Sequence, residues 1–292
     1  KDGVSLVKNS SYEVSSKWDN PSVVFSNDGN ILPTTQGGIL PIQTRNLQSA
    51  LVQVYEIPSR NMNQFLQVNS LNGTKELYRV GEPVWESRVY FDWNDSMKNQ
   101  YVPQGINLSQ LVKKYPNGMF QIRISFRKSD IKYVCTRNHR DFSSFKMPED
   151  KIPAEQGNNY ESSYWDWYNE MDWEDRSTFW NYQDDPCHPA FYMESYNSSS
   201  IIKKNVIVSD LGIIAKRETG GKLFVTVADL KEAKPLKGVS VKSYNFIGTE
   251  LDSGITDDTG TVVFKNEKDA IFIIASEKEQ SSFLKLEKGA IL

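Results

Sequence analysis

The chain of 292 residues reads as an all-β protein: two immunoglobulin- or fibronectin-like β-sandwich domains joined by an acidic, aromatic-rich connector. Three observations predict this. Short runs of alternating apolar and polar residues, the period of a half-buried strand, recur in both halves of the chain. Turn text rich in Gly, Pro, Asn and Asp separates them, and only short helical patterns intervene. Between the halves, Tyr160–Met193 follows neither period yet holds Trp165, Trp167, Trp173 and Trp180, four of the seven Trp. The expected division is an extension at 1–18, a first sandwich at 19–145, the connector at 146–204 and a second sandwich at 205–292.

Taken in order, residues 1–18 are Ser- and Asn-rich with a weak strand at Ser11–Ser15, and read as the tail of a preceding domain. Strand text begins at Val23-Val24-Phe25 and turns at Asn27-Asp28-Gly29-Asn30. Ala50–Ile57 is the clearest strand of this half, with Ala50, Val52 and Val54 on one side. Arg60–Val68 suits a short helical turn, and Val84–Phe91 a strand with Trp85 as a packing residue. Asn107–Tyr115 suits one or two helical turns, with Asn107 as N-cap and Leu108, Leu111 and Val112 on one face. Pro116-Asn117-Gly118 predicts a turn, Met119–Phe126 a strand, and Ile131–Cys135 a closing strand. Beyond the connector, strands are expected at Val206–Ser209, Gly212–Lys216, Leu223–Ala228, Val239–Phe246, Val262–Phe264, Ile271–Ala275 and Phe283–Leu286. That many short strands in so short a span is sandwich spacing.

Composition narrows the function classes. The formal charge is −3 and no basic patch is visible, which argues against nucleic acid. No apolar run reaches the ~18 residues needed to span a bilayer. The chain has neither an initiator Met nor a signal peptide and reads as a piece of a longer protein, so the missing signal says nothing about location. Charge is uneven: Tyr160–Asp185 holds eight acids against Arg176, leaving about +4 for everything else.

Cys135 and Cys187 are the only cysteines. In an oxidising compartment they can pair, closing a loop worth roughly 4 kcal/mol in the chain-entropy model; in a reducing one they are ordinary half-buried residues. With His139 and His188 they form the only soft-ligand set, but a C-x3-H pair and an adjacent C-H pair match no ordinary zinc spacing. Asp258-Thr259-Gly260 matches the tripeptide around aspartic-protease carboxylates. That chemistry needs two facing copies, and the single one here suits a hairpin turn. The sequons at Asn9, Asn72, Asn94, Asn107 and Asn197 are expected by chance in an Asn- and Ser-rich chain. Nothing in the spacing pairs a nucleophile with a base or two catalytic carboxylates, so no enzyme, cofactor or metal is expected.

Three readings of the connector stand side by side. Its carboxylates could gather calcium, although no EF-hand loop pattern is present. Its rings could stack on sugars, or on a partner protein, through Trp165, Trp167, Trp173, Trp180, Tyr164, Tyr168 and Tyr182. Or the rings pack as an interdomain brace with the acids facing water, at about 2 kcal/mol per buried ring.

A resemblance adds to this. The second half carries SDLG at Ser209–Gly212, VTVADL…KPLKGV at Val225–Val239 and GITDDTGTVVF at Gly254–Phe264, in that order. These resemble an early macroglobulin-type domain of the bacterial alpha-2-macroglobulins. ILPTTQGGILPIQTRNLQSALVQVYEI and ELYRVGEPVWESRVY in the first half resemble a preceding domain of the same proteins. The resemblance implies an N-terminal, structural portion of a large protease trap, usually a periplasmic lipoprotein anchored outside this stretch. Proteases are the implied partners through the full-length protein, and other domains of the same chain are its neighbours. No Cys-Leu-Glu-Gln thioester and no recognisable bait region occur here. A family that is usually extracytoplasmic favours the Cys135–Cys187 cystine. The alternative function is a surface or periplasmic module that recognises glycan or protein through 160–193.

Overall fold

The computed structural model describes residues 17–34, 37–115, 119–135, 179–193, 198–265, 267–278 and 280–286. The expected strand at Ser11–Ser15, the turn at Pro116-Asn117-Gly118 and most of the connector lie outside these residues.

In the N-terminal unit, β1 (Ser22–Phe25), β3 (Ile39–Arg45) and β6 (Val102–Asn107) form a three-stranded sheet with β3 in the middle. β2 (Ile31–Leu32), β4 (Ser49–Ile57), β5 (Glu82–Tyr90), β7 (Met119–Ser125) and β8 (Ile201–Val208) form a second, in the order β2-β8-β7-β4-β5. Alternate residues of each sheet meet in one core: Val23, Leu40, Ile42 and Ile106 from the first, Val52, Val54, Ile122, Ile124 and Val206 from the second. Burying such side chains contributes about 1.5–3 kcal/mol each. α3 (Ser109–Lys114) follows β6, and Asn107 Oδ1 accepts from Ser109 N at 2.9 Å, so Asn107 supplies the expected side-chain contact although Leu108 holds the N-cap position.

Proline and glycine hid two strands from the sequence reading. β3 contains Pro41, whose carbonyl accepts from Ser26 N at 3.2 Å. A strand residue aims its N–H and C=O at the same edge, so the missing N–H of Pro41 falls beyond Phe25, the last paired residue of β1, and no ladder bond is lost. Pro103 and Gly105 lie in β6 at the sheet edge, where such residues are tolerated. β13 below also went unpredicted, as did the two-residue β2 and β11. The closing strand expected at Ile131–Cys135 is only an isolated bridge, Leu47↔Ile131, because the chain turns there through a 3-10 turn at Lys128–Asp130.

The C-terminal unit pairs β9 (Leu211–Arg217), β11 (Lys234–Pro235) and β14 (Thr261–Phe264) around β10 (Leu223–Asp229). Against this lie β13 (Glu250–Ile255), β12 (Ser240–Tyr244), β15 (Phe272–Glu277) and β16 (Gln280–Lys285), hydrogen-bonded in that order. Leu211, Leu223, Val225 and Val227 close on Val239, Val241, Ile273 and Ala275. Asp258-Thr259-Gly260 is a turn: Asp257 Oδ1 accepts from Thr259 N at 2.9 Å and Thr261 N at 3.0 Å, and Gly260 takes φ +71°.

The sequence pattern assigns the strand at Val206–Ser209, and with it the boundary at residue 205, to the second sandwich. β8 instead pairs antiparallel with β7 from Met119↔Ile207 to Ser125↔Ile201, inside the first sheet. An apolar strand does not record locally which sheet it will complete, and the chain crosses to the second unit only at Ser209-Asp210.

Glu267, between β14 and β15, is buried and accepts from Ser243 Oγ at 2.8 Å. Burial pushes its carboxyl above the ordinary range; the Ser243 bond opposes this and Asp252 adds to it. A raised folded-state value means that the stabilising contribution is complete below the unfolded value and is lost as pH rises through the folded one. Glu267→Gln is therefore expected to raise stability at pH 8 relative to wild type and to lose that advantage near pH 4, as urea titrations at the two pH values would read.

Candidate functional site at the junction of the two sandwiches

The two units meet at a third buried cluster. It is built on the link between β4 and β5, where Pro58 ends the strand and α1 (Met62–Val68) and α2 (Leu77–Val80) follow. Met62, Phe65 and Leu66, at i, i+3 and i+4, share one helical face. That face, with Ile57, Leu77, Val80, Met119 and Ile207, packs against Phe272 and Phe283 of the C-terminal unit. Alternation along β15 explains the split: Ile273 and Ala275 enter the second core while Phe272 and Ile274 face the junction. Tyr244, opposite Phe272 across the ladder, stacks on it with ring centroids 4.9 Å apart.

Polar groups surround this cluster. Lys285 Nζ donates to Leu66 O at 2.7 Å and Asn69 O at 2.6 Å, placing an ammonium at the C-terminal end of α1, where carbonyls lack partners. Asn69 secures the following loop through Phe65 O (3.1 Å), Lys75 O (3.0 Å) and Lys75 N (2.9 Å). Gln67 Nε2 donates to Phe246 O at 2.8 Å. Gly248, in the turn after Phe246, has φ +84°, and a Cβ there would lie 2.0 Å from Asn63 Nδ2. Because the Asn63 amide can swing away, Gly248→Ala is expected to cost about 1–2 kcal/mol, mainly backbone strain, measurable as a lower denaturation midpoint.

Asp210 is the second node. Its carboxylate accepts from Thr34 N (2.8 Å) and Thr34 Oγ1 (2.6 Å) of the first unit, and from Gln280 Nε2 (3.3 Å) of the second. Lys231 Nζ lies 2.7 Å from Oδ2, and Asp210 N donates to Gln280 Oε1 at 2.9 Å. Burial pushes this carboxyl up, but the Lys231 and Thr34 hydrogen bonds outweigh it and hold the group below the usual carboxylate range.

The connector's last part, residues 179–193, packs on the first sandwich. Cys135 and Cys187 are joined by a disulfide, Cα–Cα 5.6 Å, across a separation of 52 residues; their thiolates are thus not free to bind zinc. Phe191 and Tyr192 enter the first core around Phe126, at centroid distances of 6.3 and 6.1 Å. Tyr192 Oη donates to Pro186 O at 2.5 Å, and burial, then Asp185, pushes its phenol far above the ordinary range. Tyr182 stacks on the buried His188, whose Nδ1 accepts from Ala190 N at 3.1 Å. Trp180 is 57% exposed. Trp165, Trp167, Trp173, Tyr164, Tyr168 and His139 lie outside the described residues. Among the described residues no three His, Cys, Asp or Glu side chains gather for a metal ion, and no helix is long and apolar enough to cross a membrane.

The junction residues Phe65, Phe272, Phe283 and Lys285 were not singled out from sequence. The apolar spacing of α1 was the available signal, and Asp210 stood inside the quoted SDLG.

Comparison with known proteins agrees with this architecture. Residues 208–292 match the family model described as the bacterial alpha-2-macroglobulin MG3 domain. The alpha-2-macroglobulin of Pasteurella multocida (strain Pm70) is 30% identical over 89 residues, which are 28% of this chain and 5% of that protein. Trypsin-activated alpha-2-macroglobulin from Escherichia coli superposes with TM-score 0.55 at 16% identity, over 91% of this chain and 14% of that one. The native E. coli protein spanning domains MG0-NIE-MG1 gives TM-score 0.49 at 16% identity, over 94% of this chain and 66% of that one. The chain thus spans 5% of the length of the curated relative it matches. Its fold is that of macroglobulin-type β-sandwiches, and its residues 208–292 are similar to the MG3 domain of the bacterial alpha-2-macroglobulins.

Proposed function

We propose that this chain is a scaffold portion of a bacterial alpha-2-macroglobulin-like endopeptidase inhibitor, a protein that traps proteases. The observation that carries the reading is the junction: the MG3-type unit is held to the preceding sandwich by a buried cluster and two polar nodes. An arm of fixed angle is what a trap needs from a part without reactive chemistry. Its partners are proteases, reached through the full-length protein, and other domains of the same chain. The site of action is the periplasm or cell envelope, with membrane attachment through a lipid anchor outside this stretch. It is not itself an enzyme.

The test compares this chain with its full-length parent in a protease assay using a protein substrate and a small peptide substrate. The parent is expected to block hydrolysis of the protein and spare that of the peptide, whereas this chain alone leaves both unchanged. Inhibition by the isolated chain would overturn the scaffold reading. A second reading, recognition of glycan or protein through the aromatic segment 160–193, is favoured by the exposure of Trp180. Strong iodide quenching of most Trp fluorescence, relieved by an added glycan, would support it.

A further inference from the structure

We propose that the outer edge of β5 is a self-association site, where a second copy of this chain adds its own β5 in antiparallel register about a twofold axis at Ser87. β5 is a nine-residue strand at the end of the five-stranded sheet, and it pairs with β4 on one side only. Phe91 N donates to Gln48 O at 2.8 Å, which fixes the parity of the ladder. Counting back by twos, Val89, Ser87 and Trp85 aim their N–H and C=O groups at β4, while Tyr90, Arg88 and Glu86 aim theirs outward. Among the described residues, Glu86 and Tyr90 meet no backbone partner on that side. A long open edge is a template for another strand. Its N-terminal end is blunted by Pro83 and by the register shift opposite Val54 and Tyr55, so the open part is 85–90.

The charges on this edge choose both the occupant and the register. With the axis at Ser87, Glu86 stands opposite Arg88 of the second copy, and Arg88 opposite its Glu86, on the outer face of the sheet. Trp85 then meets Val89 of the second copy on the other face, where both residue types already pack against the first core. Sliding the register by two residues in either direction instead opposes Glu86 with Glu86, or Arg88 with Arg88. Like charges directly opposite are destabilising, so the pair that rejects the neighbouring registers accepts this one. Gln53 Nε2 donates to Glu86 Oε2 at 2.8 Å, and Arg88 pairs with the buried Asp130, so both charges are kept on the outer face. A guanidinium carries five N–H donors, which lets Arg88 serve Asp130 and a second carboxylate together.

Sedimentation velocity of the whole 292-residue chain over a concentration series tests this. A monomer–dimer equilibrium is expected with Kd on the order of 10 µM, since one strand pair is a small interface. Glu86→Arg sets Arg opposite Arg88 and is expected to raise Kd about tenfold or more. Arg88→Glu sets Glu opposite Glu86, with the same result. An equimolar mixture of the two variants is expected to recover the dimer, because each charge then meets its opposite. Should Arg88→Glu fail to fold for want of its bond to Asp130, Glu86→Pro is the second probe. Its lost N–H points away from β4, so the chain is expected to stay folded while the dimer is lost. A chain that stays monomeric at about ten times the expected Kd would overturn the proposal. So would a dimer indifferent to Glu86→Arg and Glu86→Pro, or a mixture of folded variants no tighter than its components, since each outcome places association on another face.

Discussion

Phe272→Ala is expected to cost about 3–5 kcal/mol and to uncouple the two sandwiches without unfolding the second. Phe272 is 2% exposed and sits where the C-terminal unit enters the cluster of Met62, Phe65 and Leu66. Truncation removes the ring that stacks on Tyr244 and leaves a cavity between units that meet along a seam, which cannot collapse without shifting one unit against the other. The second core is untouched, since its β15 contribution is Ile273 and Ala275 on the opposite face. Urea unfolding of wild type is expected to be one cooperative transition. The variant is expected to show two, the weaker reporting the unit that lost its neighbour. A single transition shifted by under about 1 kcal/mol would mean that Phe272 fills space without coupling anything.

How far the fold was legible depends on what each strand records locally. β10 was readable because Leu223, Val225 and Val227 alternate with residues of the opposite face and Gly220-Gly221 precedes them. β3 and β6 were not, because Pro41, Pro103 and Gly105 are tolerated for reasons of sheet position that the text does not carry. β13 has an almost wholly exposed pattern and no apolar side to detect. β8 was readable as a strand but not as a member of the first sheet, since that membership is fixed by Phe120, Ile122 and Ile124 far earlier in the chain. The junction shows the same division. The spacing of Met62, Phe65 and Leu66 announces an apolar helical face; what covers that face, Phe272 and Phe283, lies two hundred positions onward and needs the fold to bring it there.

Asp210→Ala is expected to cost about 2–3 kcal/mol at pH 7, because it strands partly buried partners and does not merely delete a contact. The motif containing Asp210 was visible, but its role was not: Thr34 lies 176 positions away and Gln280 lies 70. Without the carboxylate, Thr34 N, Thr34 Oγ1 and the Gln280 amide lose an acceptor. Lys231, more exposed than Asp210, recovers water, so the loss falls short of a fully buried ion pair. The sign with pH follows from a folded-state value held below the unfolded one. The stabilising contribution is complete above the unfolded carboxylate range and is lost as pH falls through the folded value. Wild type and variant should therefore differ most at neutral pH and converge in strong acid. A double-mutant cycle with Gln280→Ala separates this role from a local one. Coupling of about 1 kcal/mol is expected if Asp210 joins the units, and additive losses would confine it to its own turn. Because Asp210 is the first residue after β8 and Ser209, a carboxylate there fixes the chain's direction as it leaves one sandwich for the next. Phe272 contributes apolar burial to the junction, whereas Asp210 sets the angle at which the two units meet.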